Sequence, residues 1–253
     1  HHWNPVVARR YYRLAEETQG IAACHLLLQA DAPEGPPLPE GTHRYDPATL
    51  PHRLGLPTMV PGRLVPGSAH FPLLDFALTR AHPHYWLVEY DVEFTGSWGE
   101  LLTWGEGTEA DLLGTHLAEP EDCPEWHWWS SLRTPVPDAP RCRLFLPLFR
   151  ISALGIQTLL RAHRSGWSGH AEVLLPTALR HAGLRVQDLS TLAPAYRPGS
   201  IEPWERPRSS HRWRPEVSLE ECQATFQPDC LYHPVKAPWT FEDGAFWCAP
   251  AEP

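Results

Sequence analysis

The period of apolar and polar positions changes several times along the chain, and each change predicts an element. Residues 5–19 (PVVARRYYRLAEETQ) place Val6, Tyr11 or Arg10, Leu14 and Ala15 near helical spacing, with Pro5 in the first turn and Gly20 after the last. Residues 21–29 (IAACHLLLQ) are almost wholly apolar, which predicts a strand covered on both faces. Residues 31–67 are polar and proline-rich, a surface excursion with a short helix at ATLPHRLG. Residues 70–83 (HFPLLDFALTRAHP) predict a compact amphipathic helix with Phe71, Leu74, Leu78 and Ala81 on one face, closed by Pro83.

The next stretch, HYWLVEYDVEFTGSW (residues 84–98), alternates. Trp86, Val88, Tyr90, Val92 and Phe94 share one parity, and Leu87, Glu89, Asp91 and Glu93 share the other, so a regular strand sets its carboxylates ~7 Å apart on one face. Such a row either meets water, as on a half-exposed antiparallel strand, or meets a cation where a buried strand emerges. Downstream, residues 96–117 predict a loop, a short helix and a strand, and residues 121–132 (EDCPEWHWWSSL) are dense in tryptophan. CRLFLPLFRIS predicts a strand running into the helix SALGIQTLLRAHRSG; GHAEVLLPTALRHAGL predicts another helix, ended by Gly183, and RVQDLS a last short strand. Beyond about residue 190 periodicity fades, which predicts a Pro- and Trp-rich tail wrapped on a core of about residues 1–190.

Composition narrows the class. A chain of 253 residues with 42% hydrophobic and 11% aromatic residues is a globule with one core in a single domain. A formal charge of −9 and the lack of a long Lys/Arg block argue against a nucleic-acid partner. No apolar run reaches the ~20 residues that span a bilayer, so the reading is a cytoplasmic protein, at most peripheral to a membrane. The chain opens HHWNP without an initiator Met, so residues can precede His1. The six cysteines form no CxxC pair, which makes a zinc ribbon improbable and free thiols the default.

Three features taken together resemble a GT-A-fold glycosyltransferase. They are an apolar strand ending in Glu89-Tyr90-Asp91, a Gly169-His170-Ala171-Glu172 segment at a helix start, and a late Tyr232–Lys236 (YHPVK). EYDVEFTGSW is most similar to a little-characterised group of these enzymes, and LFRIS and HAEVLLPTAL are similar to its later segments. The resemblance implies an α/β fold, a single three-layer α/β/α GT-A-like domain. It also implies sugar transfer from a nucleotide-sugar donor, UDP-linked in the first instance, to a carbohydrate or other hydroxyl acceptor, with an inverting course. Asp91, His233 and Glu89 are the implied ligands of Mn²⁺ or Mg²⁺. Glu89, Lys236 and His70 fall on the donor side, and Trp98, His170 and Trp128 on the acceptor side. Glu172 is the implied catalytic base.

The chemistry asks for these residue types. A departing nucleoside diphosphate needs a Lewis acid, and hard oxygen ligands with an imidazole suit Mn²⁺ or Mg²⁺. Glu93 shares the strand face and has a side network with Trp98 or a tail cation as its alternative. His233 can instead be an ordinary core or surface histidine, Glu172 an acceptor for first-turn amides, His70 a cap neighbour, and Trp126, Trp128 and Trp129 loop packing. Two other functions fit the same residues: a metal-dependent phosphoester or nucleotide-sugar hydrolase, and a silent carbohydrate-binding protein.

Overall fold

A computed structural model describes residues 3–33, 35–56, 67–189 and 210–249. The first helix, α1 (Pro5–Glu17), begins where Asn4 accepts the Val7 N–H in its side chain and Pro5 presets the first turn. It buries Val6, Val7, Ala8 and Arg10. Of the apolar run 21–29, only β1 (Leu27–Gln29) is a strand, paired in parallel with β2 (His43–Tyr45) in a two-stranded sheet, and Ile21 is 50% exposed. The expected two-face burial of that whole run is therefore not met. The short α2 (Leu50–Leu54) forms within the segment ATLPHRLG, and Gly55 ends it with φ +65°, a conformation glycine adopts without strain.

Helix α3 (His70–Thr79) starts as expected but ends four residues before Pro83. Its buried side is His70, Pro72, Leu73, Leu74, Asp75 and Phe76, whereas Leu78 is 50% exposed. The expected apolar stripe is thus rotated. Asp75 explains the shift: its carboxylate is buried because Arg53 Nε, at 2.7 Å, and His43 Nε2, at 2.8 Å, hold it. The stretch 84–98 is not one strand either. It divides into β3 (His84–Val88), a turn, β4 (Glu93–Phe94) and α4 (Trp98–Glu106), whose cap is Ser97.

The remaining elements are β5 (Leu112–Ala118), a 3₁₀ turn at His127–Ser131, β6 (Arg143–Ser152), α5 (Ala153–Arg164), α6 (Ala171–His181) and β7 (Val186–Asp188). The central mixed sheet has the order β3-β6-β5-β7. β6 is its spine, buried along its whole length and antiparallel to β3 (His84↔Ser152 to Val88↔Leu148) and to β5; β7 is parallel to β5. One face packs Tyr85, Leu87, Leu144 and Ile151 against α3, α5 and α6, and the other packs Leu113 and Leu148 with Trp86 and Val88 against α4. Helices on both faces make the arrangement α/β. Arg150 of β6 is fully buried because its guanidinium donates to the carbonyls of Gly105, Thr108 and Ala110, at and just beyond the carboxyl end of α4.

Residues 190–209 of the expected tail lie outside the described residues. Residues 210–249 are more ordered than the sequence pattern implies: α7 (Leu219–Thr225), β8 (Leu231–Tyr232), and a hairpin of β9 (Trp239–Glu242) and β10 (Ala245–Cys248). Asp243-Gly244, both at positive φ, form the two-residue turn of that hairpin. β8 pairs antiparallel with β4 (Glu93↔Tyr232, Phe94↔Leu231), which carries the tail back to the end of β3. All six cysteines are free. Among the described residues, no helix is long and apolar enough to cross a membrane.

Candidate metal centre

The last ladder bond of β3 runs from the Glu89 N–H to the Pro147 carbonyl, and the Val92 N–H then donates to the Glu89 carbonyl. This turn lifts Glu89 and Asp91 off the strand at its carboxyl end, the usual ligand position in open α/β sheets. The tail approaches from the other side. The Val235 N–H donates to the Asp91 carbonyl, the His233 N–H to Ser210, and the Arg212 N–H to the His233 carbonyl. Residues 142 positions apart in the chain thus meet, and one donor atom from each of Glu89, Asp91 and His233 lies within 4.8 Å of the others.

The histidine is aimed by its neighbour. Its Nδ1 is 2.6 Å from the Arg212 carbonyl, so Nδ1 carries the proton and Nε2 presents a lone pair. That lone pair faces Asp91 Oδ1 at 3.6 Å and Glu89 Oε2 at 3.8 Å. Asp91 Oδ1 is buried and has no hydrogen-bond partner among the described residues. Two carboxylate oxygens and an imidazole lone pair converging without donors are what a hard divalent cation satisfies, so the residues fit a metal ion. Burial, then the charges of Asp91 and Glu172, push the Glu89 carboxyl up to about 8, with Lys236 pulling the other way. Burial also lowers the His233 pKa against the opposing pull of Asp91 and the Arg212 carbonyl. A cation there would oppose the proton on Glu89.

The charge of Glu172 reaches Glu89 and helps raise its pKa. The sequence gets it there through Gly169. With φ +143° and a Cβ that would lie 2.9 Å from the Ser131 carbonyl, this position accepts only glycine, and the close approach packs the start of α6 against the tryptophan turn. His170 is the cap of α6: its Nδ1 accepts the Glu172 N–H at 3.4 Å. The Glu172 side chain, 15% exposed, is held up to about 7, mainly by burial and against the pull of Arg143 and the Leu146 N–H. The His170 ring stacks on Trp128, centroids 4.4 Å apart and 21° from parallel.

Other expected positions fall differently. Lys236 is exposed, within electrostatic reach of Glu89 and His233. His70 is buried at the start of α3, with Nε2 3.1 Å from Nε2 of His163. Trp98 is 3% exposed inside the second core cluster, edge-on to Phe94. Trp126 and Trp129 are buried against each other, leaving Trp128 the half-exposed ring of the three. Glu93, on the acidic parity of the sequence, faces away from the centre into Arg10 and Arg13. Sequence reasoning missed Arg143, whose charge acts on Glu172 and whose guanidinium lies 5.0 Å from the Trp126 ring. It also missed His211 and His116, whose rings line up behind His233 at 5.6 and 6.0 Å steps. No spacing signal marks these three. No family model, curated protein or solved structure matches the chain.

Proposed function

We propose that the chain is a divalent-metal-dependent glycosyltransferase of the GT-A kind, moving a sugar from a nucleotide-activated donor to a hydroxyl acceptor with inversion. The observation that carries this reading is the convergence of Glu89, Asp91 and His233 at one end of β3, with the charge of Glu172 acting on Glu89. Mn²⁺ or Mg²⁺ held by the three would supply the Lewis acid that a departing diphosphate requires. Lys236 adds a mobile positive charge on that side. Glu172, held up to about 7, is matched to accept the acceptor hydroxyl proton near neutral pH. The stacked Trp128 and His170 rings offer a flat face beside that base, suited to a pyranose. UDP is the first donor nucleotide to try.

The test is a thermal-shift screen of nucleotides and nucleotide-sugars with and without Mn²⁺, followed by turnover with and without acceptor. A bound donor at 100 times its Kd adds about 2.7 kcal/mol of stability. Metal-dependent stabilisation by a nucleotide-sugar, with acceptor-dependent release of nucleotide, supports the reading. Release of free sugar at the same rate without acceptor identifies a hydrolase instead, and stabilisation by sugar alone identifies a carbohydrate-binding protein.

A further inference from the structure

A cavity of about 830 Å³ lies between two strand edges. One bank is the continuous run 82–90, which contains β3, and the other is the run 21–29, which contains β1. Only a backbone edge, and not one face of a strand, presents consecutive residues in this way. Val7, Tyr11 and Leu14 of α1 and Leu73 and Phe76 of α3 supply the apolar lining.

The hydrogen-bond phase of both banks is fixed by their known partners. The Pro83 carbonyl receives the Ala153 N–H and the Glu89 N–H reaches Pro147, so residues 83, 85, 87 and 89 face β6. His84, Trp86 and Val88 therefore turn their N–H and C=O groups outward into the cavity. Among the described residues, nothing pairs with that edge. On the other bank the Leu26 carbonyl and Ala30 N–H bond to β2, so Leu27 and Gln29 turn their backbone the opposite way. β1 and β3 line the same cavity and do not pair with each other.

Water can meet the backbone donors and acceptors but not the apolar lining between them, and a compact apolar molecule meets the lining but not the two rows of backbone groups. We propose that the cavity is a lane for one extended apolar polypeptide strand, which pairs with β3 through His84, Trp86 and Val88 and completes the sheet between β3 and β1. Pairing along an open edge supplies its main-chain bonds, and helices above and below require apolar side chains on both faces. Val88 directly precedes Glu89, so the docked strand would also brace the segment that carries the metal ligands. The inference does not rest on glycosyl transfer and stands or falls separately from donor turnover.

Hydrogen exchange on the whole chain tests it. In the free protein the Trp86 and Val88 amides should exchange at least tenfold faster than the Tyr85 and Leu87 amides bonded to β6. An acetylated hexapeptide of alternating valine and isoleucine, flanked by lysines for solubility, should slow Trp86 and Val88 at least tenfold and leave Tyr85 and Leu87 as internal references. Two N-methylated versions, each blocking one alternate set of amides, should bind at least tenfold more weakly. Equal protection of all four amides before peptide is added overturns the proposal, because the edge is then already paired. No slowing with the hexapeptide overturns it too, as does undiminished binding of both N-methylated peptides, which identifies a pocket for apolar groups only.

Discussion

Replacing Glu172 by glutamine should make the protein more stable and less active, two effects that a helix-capping carboxylate would not produce together. The folded-state pKa is about 7 against an ordinary 4.5, raised mainly by burial. Below pH 4.5 the side chain is protonated in both states and its charge costs nothing. Between pH 4.5 and 7 the unfolded chain releases the proton while the folded chain keeps it, so stability falls as pH rises. Above 7 the loss is complete, and the gap between the two pKa values corresponds to about 3 kcal/mol. Glutamine has nearly the same shape and no charge to desolvate. At pH 8 in EDTA, Glu172→Gln should therefore exceed the parent by as much as about 3 kcal/mol, a rise in Tm of roughly 6–12 °C for a chain of this size. At pH 4 the two should coincide.

The same variant should bind donor and Mn²⁺ normally while transfer falls roughly 10²–10⁴-fold, because it cannot accept the acceptor proton. In the parent, turnover should rise with pH through about 7 as Glu172 ionises. Urea unfolding across pH 4–8 and turnover on one preparation supply both readings. A variant less stable than the parent at pH 8, or a stability difference independent of pH, refutes the desolvated carboxylate. Near-normal turnover removes Glu172 from the mechanism.

Asp91→Asn should abolish Mn²⁺-dependent nucleotide binding in titration calorimetry and leave the fold intact, since it removes a ligand charge and keeps the shape. His233→Ala should weaken the same binding; a double-mutant cycle with Asp91→Asn should show a coupling of roughly 0.5–3 kcal/mol, and clean additivity would separate the two residues. Glu93→Gln should cost about 3–5 kcal/mol in urea unfolding, because it leaves Arg10 buried without its counter-charge, whereas Arg13 keeps Glu17. A loss under 1 kcal/mol would show that carbonyl contacts alone hold the Arg10 guanidinium.

Where apolar period and local breakers agree, sequence and structure agree: β6, α5, α6 with Gly183 behind it, and β7 lie where the pattern puts them. Each of these is set by its own apolar pattern and end signals, with burial against its neighbours agreeing. The failures share a different cause. The run 21–29 has the composition of a fully buried strand, yet a strand exists only against a partner, and most of this run borders the cavity beside β3. The stripe on α3 is misplaced because Asp75 goes inward, and that depends on Arg53 and His43, which no local pattern links to it. The tail hides its order because α7 and β8 are too short for a period to show. His233 was legible through YHPVK; His211 and Arg143 were not, since tertiary neighbours alone give them a role.

The row of acids after β3 shows how one sequence pattern divides into two kinds of chemistry. Glu89, Asp91 and Glu93 are equivalent by parity, and a regular strand would give them one environment. The turn at residues 89–92 ends that equivalence. Glu93 resumes strand pairing in β4 and points at Arg10 Nε at 2.7 Å, Arg13 Nη1 at 3.1 Å and the Thr240 hydroxyl at 2.9 Å, so its charge is matched inside the protein. The same two arginines reach the carbonyls of Tyr90, Val235, Trp239, Phe94 and Gly96, tying α1 to the β3–β4 turn and to the tail. Asp91, two residues earlier, has one oxygen with no partner, facing an unprotonated imidazole nitrogen. Among the described residues two guanidinium groups meet Glu93 and none meets Asp91, which sits instead beside Glu89 and the His233 imidazole. Glu93 thus fixes the frame, and Glu89 and Asp91 are left, with His233, as the group that could hold a metal ion.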